Sequence, residues 1–415
     1  MTSSASVQRQ VLVLNQYAKP LHEPGGTRHV ELFGRLSGWR HTIVVGDLDN
    51  YTRQRFQTTD PHFVRVRVPS YRGNDHQRVA NWISYSLGAL RAALRQRPRP
   101  DVVYASSPHI LTPVAGWLAA RIRRSRFVLE IRDLWPETLV SMGYLRSGSI
   151  THRLLRALER WLYRRADAIV VVAEGWRSYL VAQGVDESRI EWVSNGAEPA
   201  DFTLRPEYRS LRSRVPVTGR LVVYAGAHGP LNGLDLLLDA AAELPEHTFV
   251  LIGDGLEKAH LVERAHAEQL GNVHFLDTIP KRELAGIIGD ADVGVHVLAN
   301  AEIFQLGASP NKLYDYLAAG LPVVTNCPDE PQDIVLSAGA GIAVGPNELV
   351  AGLRKLLGED TATLRAMGGR GRRYIEEHRS RTVMAARLQR LLDAVVVPGS
   401  SRADRRRTPA TTPGA

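Results

Sequence analysis

At 415 residues the chain is too long for one typical domain, and two or three are expected. Its 44% hydrophobic and 23% charged residues are ordinary for a soluble globular protein, and the single cysteine, Cys327, excludes a disulfide framework within the chain. The net charge of +9 comes from arginine, but no zinc spacing, recognition-helix signature or aromatic-basic repeat accompanies it, so nucleic acid is not an expected partner.

The N-terminus, Met1 to Gln10, is polar, and the apolar run Val11–Leu14 is too short for a signal segment. No apolar stretch approaches the roughly 20 residues that span a bilayer. With one cysteine, a reducing cytoplasm is the expected location. Short β-branched runs then alternate with long amphipathic segments. They predict strands at Val11–Tyr17, His41–Gly46, Phe63–Val68, Val102–Ser106, Phe127–Arg132, Ala168–Val172 and Ile190–Val193. A second series follows at Leu221–Gly226, Thr248–Gly253, Val273–Leu276, Val293–Val297, Pro322–Thr325 and Gly341–Val344. Each run is mostly apolar rather than alternating, as in strands buried on both faces of a parallel sheet. Helical segments separate them, which predicts an α/β class with right-handed crossovers. The polar stretch Phe202–Gly219 interrupts the alternation and reads as a linker, and the Ser-, Arg-, Thr- and Pro-rich tail from Pro398 reads as disordered. The expected division is 1–203, a linker over 204–219, 220–378, a last helix over 379–397 and a tail over 398–415.

Arginine clusters along this path. Arg91, Arg95, Arg97 and Arg99 end one predicted helix, Arg121, Arg123, Arg124 and Arg126 follow another, and Arg153, Arg156, Arg160, Arg164 and Arg165 stripe a third. One reading is a plain solvated surface. The other is an electrostatic footprint for an anionic membrane face or a lipid-phosphate acceptor.

Two doubly wound units in tandem place the carboxyl ends of both sheets on a shared cleft, so the loops leaving those strands should carry the chemistry. The most telling loop is Ser309-Pro310-Asn311-Lys312-Leu313-Tyr314-Asp315, followed by the stop Gly320-Leu321-Pro322. Pro310 suits a first helical turn and Gly320 a helix end. Free N–H groups at the helix start, beside Ser309 and Asn311, make an anion site with Lys312 on the first turn. Asp315, one turn on, can accept hydrogen bonds from a sugar hydroxyl. An ordinary βα surface unit is the plainer alternative. After the first strand, Gly25-Gly26 lets a backbone approach a ligand. After the fifth comes Glu130-Ile131-Arg132-Asp133-Leu134-Trp135-Pro136-Glu137, whose charges at a buried strand end are costly unless paired or used. A structural pair of Arg132 with Asp133 or Glu130 is the alternative there. Gly226, His228, Gly253 and Gly255 end strands of the second unit and can admit phosphate or base. No Asp-x-Asp motif between a strand and a loop near the cleft and no His/Cys ligand set is read from the sequence, so neither metal nor other cofactor is expected.

In this order the blocks Gly25-Gly26, Arg132-Asp133-Leu134-Trp135-Pro136-Glu137, Asn195-Gly196, Gly253-Asp254-Gly255 and Ser309-Pro310-Asn311-Lys312 through Gly320-Leu321-Pro322 resemble retaining glycosyltransferases of family 4. Within that family the chain looks like the branch of L-fucosamine and colanic-acid transferases. The segment Leu158 to Ile169 is also typical of that branch, and the likeness runs to about Val396. It implies a GT-B fold, two Rossmann-like domains facing across a cleft. The acceptor would bind 1–203 and the nucleotide-sugar 220–378, with the last helix crossing back. It implies transfer of a hexose or N-acetylhexosamine from a nucleotide-sugar, UDP-linked in the preferred reading, to a glycan, lipid-linked or small-molecule acceptor. The leaving phosphate would take the acceptor proton. Arg132, Asp133 and Lys312 would then be the catalytic residues, Asp133 positioning substrate. Gly25, Gly26, Gly226, His228, Gly253, Gly255, Ser309, Asn311, Lys312 and Asp315 would bind the donor, with Asp315 on the ribose hydroxyls. The first carboxylate of the family's Glu-x7-Glu motif would fall on Gly307, which has no side chain, and Glu302 is too far off to replace it. The loop from Gly226 to Gly233 lacks the usual Arg and Lys, with Asn232 where the Lys would stand. Two alternatives stay open, a nucleotide-sugar 2-epimerase on the same fold and an inactive binding subunit, the latter raised by these departures.

Overall fold

The computed structural model describes residues 8–397 except 22, 24–25, 50–52, 72, 74–75, 302–303 and 305–306. The expected disordered tail, Gly25 and Glu302 therefore lie outside the described residues. The first sheet holds β1 (Arg9–Leu14), β2 (Trp39–Gly46), β3 (Phe63–Val66), β4 (Val102–Ser106), β5 (Arg126–Ile131), β6 (Ala168–Val171) and β7 (Ile190–Trp192). Their order is β3-β2-β1-β4-β5-β6-β7, and every pairing is parallel. The second holds β8 (Leu221–Ala225), β9 (Thr248–Ile252), β10 (Val273–Leu276), β11 (Val293–His296), β12 (Val323–Thr325) and β13 (Gly341–Ala343), in the order β10-β9-β8-β11-β12-β13, again all parallel.

Each sheet is buried on both sides, which explains the unbroken apolar strands. On one face of the first sheet lies α1 (Arg28–Phe33), burying Leu32 and Phe33. On the other lie α2 (His76–Arg95), α3 (Leu111–Arg123) and α4 (Ile150–Arg165), whose Tyr85, Ala89, Ala119 and Leu162 share a core with Leu12, Val103 and Leu129. In the second domain α5 (Lys281–Ile287) and α6 (Asn311–Ala318) flank the cleft side, α6 burying Leu313, Tyr314, Tyr316 and Leu317. The chain then returns. Ser380 caps α7 (Arg381–Val396), its hydroxyl accepting from the Val383 N–H at 3.1 Å. Met384, Ala385, Leu388 and Leu392 of α7 join the first domain's core beside α1. Asp393 accepts from Arg9 at 2.7 Å and from the Trp39 indole at 3.0 Å. Residues 204–219 lie against the second domain, where Arg214 pairs with Glu283 and Arg212 with Asp292.

β1 ends at Leu14, short of the expected Tyr17, because the Asn15 carboxamide accepts the Tyr17 N–H at 2.9 Å and turns the chain. β2 begins at Trp39, earlier than His41, because Trp39 pairs in register with Arg9. The two domains touch through loops that leave the carboxyl ends of both sheets. Asn195, after β7, meets Ser309, and Trp176, after β6, donates to the Gly307 carbonyl at 3.1 Å.

Candidate functional site

The floor of the first domain is built on Glu130, a charged residue in a fully buried strand position of β5. It is tolerated because it is paired: Arg28 Nε lies 3.0 Å from one oxygen and His29 Nε2 2.7 Å from the other. Arg28 also donates to the carbonyls of Ser194 and Val193, both at 2.6 Å. Asn15, at the end of β1, donates to Ser106 at 3.0 Å and lies 3.3 Å from the other His29 nitrogen. These bonds tie the carboxyl ends of β1, β4, β5 and β7 to the start of α1. Burial alone would raise the Glu130 carboxyl, but His29, Arg28 and Arg132 hold it well below the usual range. Glu130 is thus a fixed anion whose partners are Arg28 and His29 rather than Arg132.

Arg132 and Asp133 follow directly. The Arg132 N–H donates to the Ser107 hydroxyl at 3.3 Å and its side chain is half-buried. Asp133 as a residue is exposed at the sheet end. Protein nevertheless crowds it closely, and the lost hydration raises its carboxyl above the usual range, against a lowering by Arg132. Gly26 has φ +52°, and a Cβ there would stand 2.5 Å from the Tyr17 carbonyl, so this glycine serves a tight loop crossing.

In the second domain Lys312 lies along the end of β8. A Cβ on Gly226 would come within 2.7 Å of the Lys312 side chain, so glycine is what admits the lysine. Its ammonium donates to Asn232 at 2.8 Å and sits 5.0 Å from the Tyr224 ring centre. Asn232, standing where relatives were expected to carry a lysine, instead steers Lys312. Burial pushes the Lys312 ammonium down to about 8. His228 is buried, neither ring nitrogen has a hydrogen-bond partner, and burial with Lys258 nearby lowers it to about 4. Gly253 and Gly255 are held by close backbone crossings. Cβ atoms there would stand 2.0 Å from the Gly226 carbonyl and 2.3 Å from the His228 carbonyl, so they let two loops cross.

Lys312 and Asp315 share a helix but not a neighbourhood. Asp315 faces the domain boundary, 3.7 Å from Lys281 Nζ, which is itself 3.8 Å from Glu31 of α1. Arg381, at the start of α7 and buried, pairs with Glu31 as well. Thr27 donates to Glu31 at 2.6 Å. Burial would raise Glu31, but Arg381 and Lys281 hold it at about 2. Burial raises Asp315 despite Lys281 and Arg381, and its Oδ1 has no hydrogen-bond partner. Glu31 and Lys281 also line an interdomain cavity of about 390 Å³ with Phe202, Asp201, Arg205 and Arg282.

Ser309 is an interdomain staple. Its hydroxyl accepts from the Asn195 N–H at 3.0 Å, and its carbonyl accepts from the Asn195 carboxamide at 2.6 Å. Behind it, Tyr314 lies 3.2 Å from Ser309 and donates to Glu330 at 3.1 Å. The other Glu330 oxygen accepts from the Glu174 N–H of the first domain at 3.2 Å. Burial pushes Glu330 up to about 7. Asn311 is exposed on the first turn of α6. Gly307, where the family motif has a carboxylate, has φ +103° and lies against Gly175, so the chain crosses the other domain there with no side chain. Arg28, His29, Glu31, Lys281, Glu330 and Arg381 were not singled out by their sequence context. The signal for the first two was the unpaired charge of Glu130 in an apolar strand. Among the described residues no group of three or more His, Cys, Asp or Glu side chains is placed to hold a metal ion.

Two family models match the chain, a glycosyl transferase 4-like domain over residues 31–196 and glycosyl transferases group 1 over residues 219–359. The D-inositol 3-phosphate glycosyltransferase of Mycolicibacterium smegmatis is 30% identical over 357 residues, 78% of this chain and 77% of that protein. The chain belongs to glycosyltransferase family 4. This glycosyltransferase is also 23% identical over 327 residues to WcaI of Escherichia coli K12, described as a colanic acid biosynthesis glycosyl transferase, with 74% of this chain and 80% of that one covered. Among solved structures, Anabaena HepE in complex with UDP-glucose superposes with a TM-score of 0.68 at 18% identity, covering 93% of this chain and 99% of that one. The fold is accordingly GT-B, two Rossmann-like domains joined at their carboxyl-end loops.

Proposed function

We propose that this enzyme moves a hexosyl or N-acetylhexosaminyl group from a UDP-linked sugar to a glycan or lipid-linked acceptor, with retention at the anomeric carbon and without a metal. The observation that carries the reading is Lys312, a single cation on the first turn of α6, laid across Gly226 and steered by Asn232. In this reading the donor diphosphate lies against that ammonium and the helix start. The ribose hydroxyls use the Oδ1 of Asp315, which has no hydrogen-bond partner. The bond from the anomeric carbon to the diphosphate oxygen breaks, and a bond to the acceptor oxygen forms on the same face. The acceptor proton passes to the departing phosphate. Lys312 is fixed before charge develops there, so its stabilisation needs no reorganisation during the step. Arg132 and Asp133 line the acceptor side, where Asp133 holds an acceptor hydroxyl. A UDP-linked donor is supported by the UDP-glucose complex of HepE, and a polysaccharide acceptor by the likeness to WcaI. A cytoplasmic site of action, where nucleotide-sugars are made, completes the reading.

Thermal-shift screening against UDP-, GDP-, ADP- and dTDP-sugars tests the donor, since a ligand of the native state raises the melting point by mass action. Transfer to a glycan acceptor in excess chelator, with the new linkage read by NMR, tests the rest. Loss of activity in chelator that magnesium restores, an inverted linkage, or conversion of donor alone into an epimer would each sink the proposal.

A further inference from the structure

A helix layer that faces water should be polar outside, and the layer formed by α2, α3 and α4 is not. Asn81, Tyr85, Ala89 and Ala93 turn one side of α2 to the sheet. The opposite side carries Val79, Ile83 and Leu87, one turn apart and 45%, 47% and 63% exposed. Ile122 of α3 is 54% exposed, and Ile150 and Leu154 of α4 are 77% and 65% exposed. With Met142 and Tyr144, just before α4, these make eight of the fourteen large apolar side chains that the described residues expose. Such a concentration on one layer marks an interaction surface rather than scattered surface apolarity.

The charge of the layer says what it meets. The three helices hold one carboxylate, Glu159, and it is buried. Exposed arginines stand among the apolar residues: Arg91, Arg95, Arg121, Arg153, Arg160 and Arg164. Other arginines are spent within the fold, Arg123 on the Leu94 and Gln96 carbonyls and Arg165 over the Trp117 and Trp161 rings. A face that is both apolar and uniformly cationic repels a second copy of itself and complements an anionic bilayer surface. We infer that the outward face of α2, α3 and α4 docks on an anionic phospholipid leaflet, its apolar side chains entering the headgroup boundary and its arginines meeting lipid phosphates.

The topology gives this docking a direction. α2 and α4 start at the carboxyl end of the parallel sheet, the end that carries Arg132 and Asp133. Val79, Ile83, Ile150 and Leu154 lie within the first two turns of these helices, with Arg153 among them, whereas Arg91, Arg95, Arg121 and Arg164 lie at the far end, with Ile122. Most of the exposed apolar side chains therefore lie toward the cleft mouth, and most of the exposed arginines toward the far end of the domain. Lipid contact is independent of the reading of the donor site and is tested without catalysis.

The test is cosedimentation of the whole chain with vesicles of phosphatidylcholine, alone or with phosphatidylglycerol at about one lipid in three, at about 0.1 M salt. Wild type is expected on the anionic vesicles only. Ile83→Asp/Leu87→Asp and Ile150→Asp/Leu154→Asp should each lower the partition coefficient by at least about tenfold. Arg91→Gln/Arg95→Gln/Arg121→Gln should weaken binding and flatten its salt dependence. Circular dichroism and nucleotide thermal shift check folding, with the milder Ile83→Ser/Leu87→Ser pair as a second variant. Absence of binding by wild type, equal binding to neutral vesicles, or apolar variants that bind as wild type would overturn the inference. So would a concentration-dependent dimer in light scattering that Ile83→Asp/Leu87→Asp abolishes, because the face would then belong to a second copy.

Discussion

Lys281 stands 3.7 Å from the carboxylate of Asp315 without forming a hydrogen bond to it, and the same ammonium lies 3.8 Å from Glu31 in the other domain. The carboxylate proposed to hold the donor ribose is thus already linked, through one lysine, to the first helix of the acceptor domain. Its Oδ1, the atom nearest Lys281, has no hydrogen-bond partner. Asp315→Ala should weaken UDP binding by about 1.5–3 kcal/mol, the scale of hydrogen bonds to a charged group. The loss should shrink with 2′-deoxy-UDP, which lacks one of the hydroxyls concerned. Isothermal titration of both ligands against both proteins checks this, and an equal loss for the two ligands would remove Asp315 from the ribose.

Lys312 should bind diphosphate only as the ammonium. Burial lowers it to about 8, so donor affinity should fall as the pH rises past about 8. A bound diphosphate favours the charged form and raises that value, so binding near this pH should take up a proton. Calorimetry in two buffers of different ionisation enthalpy reads the uptake directly. Lys312→Ala should abolish it and cost about 1.5–3 kcal/mol of UDP affinity.

Glu130 supports the first domain rather than the reaction step. Glu130→Gln leaves Arg28 buried against a neutral partner, the costly way to break a buried pair, and should destabilise the fold by about 3–5 kcal/mol in urea unfolding. Arg28→Met/Glu130→Gln should cost less than the sum of the single changes, because neither partner is then left charged alone. Additive losses would show that the two residues act independently.

The strands were legible because parallel strands buried on both faces need unbroken apolar runs, and each of the thirteen runs from Val11 to Val344 overlaps one. Their ends were less so, since Asn15 stops β1 with a side-chain bond that no periodicity reveals. Lys312 could be found because its neighbours Pro310 and Gly320 punctuate the helix. Arg28 could not be paired with Glu130, which lies 102 residues further on, because only the closed sheet brings β5 beside α1. The same holds for Arg381 and Glu31, which meet only because α7 returns to the first domain. Gly307 was visible as a missing carboxylate. Its reason, the close crossing at Gly175 with positive φ, is tertiary.

Glu330 joins the domains and titrates where an enzyme works. Burial lifts it from an ordinary 4.5 to about 7, against the Glu174 N–H, Arg379 and Tyr314, which lower it. Between those values the native state keeps a proton that the unfolded chain has lost. Fewer protons on the unfolded state mean that stability falls as pH rises through this window. Glu159 is likewise lifted to about 7 by burial, so the wild-type slope alone does not isolate Glu330. Glu330→Gln does, since an amide can still accept from Glu174 and donate to Tyr314 but cannot ionise. The variant should match wild type near pH 5 and be the more stable of the two near pH 7.5, in unfolding midpoints at both values. Parallel pH curves for the two proteins would mean that Glu330 is ionised throughout and that the domain contact carries no proton.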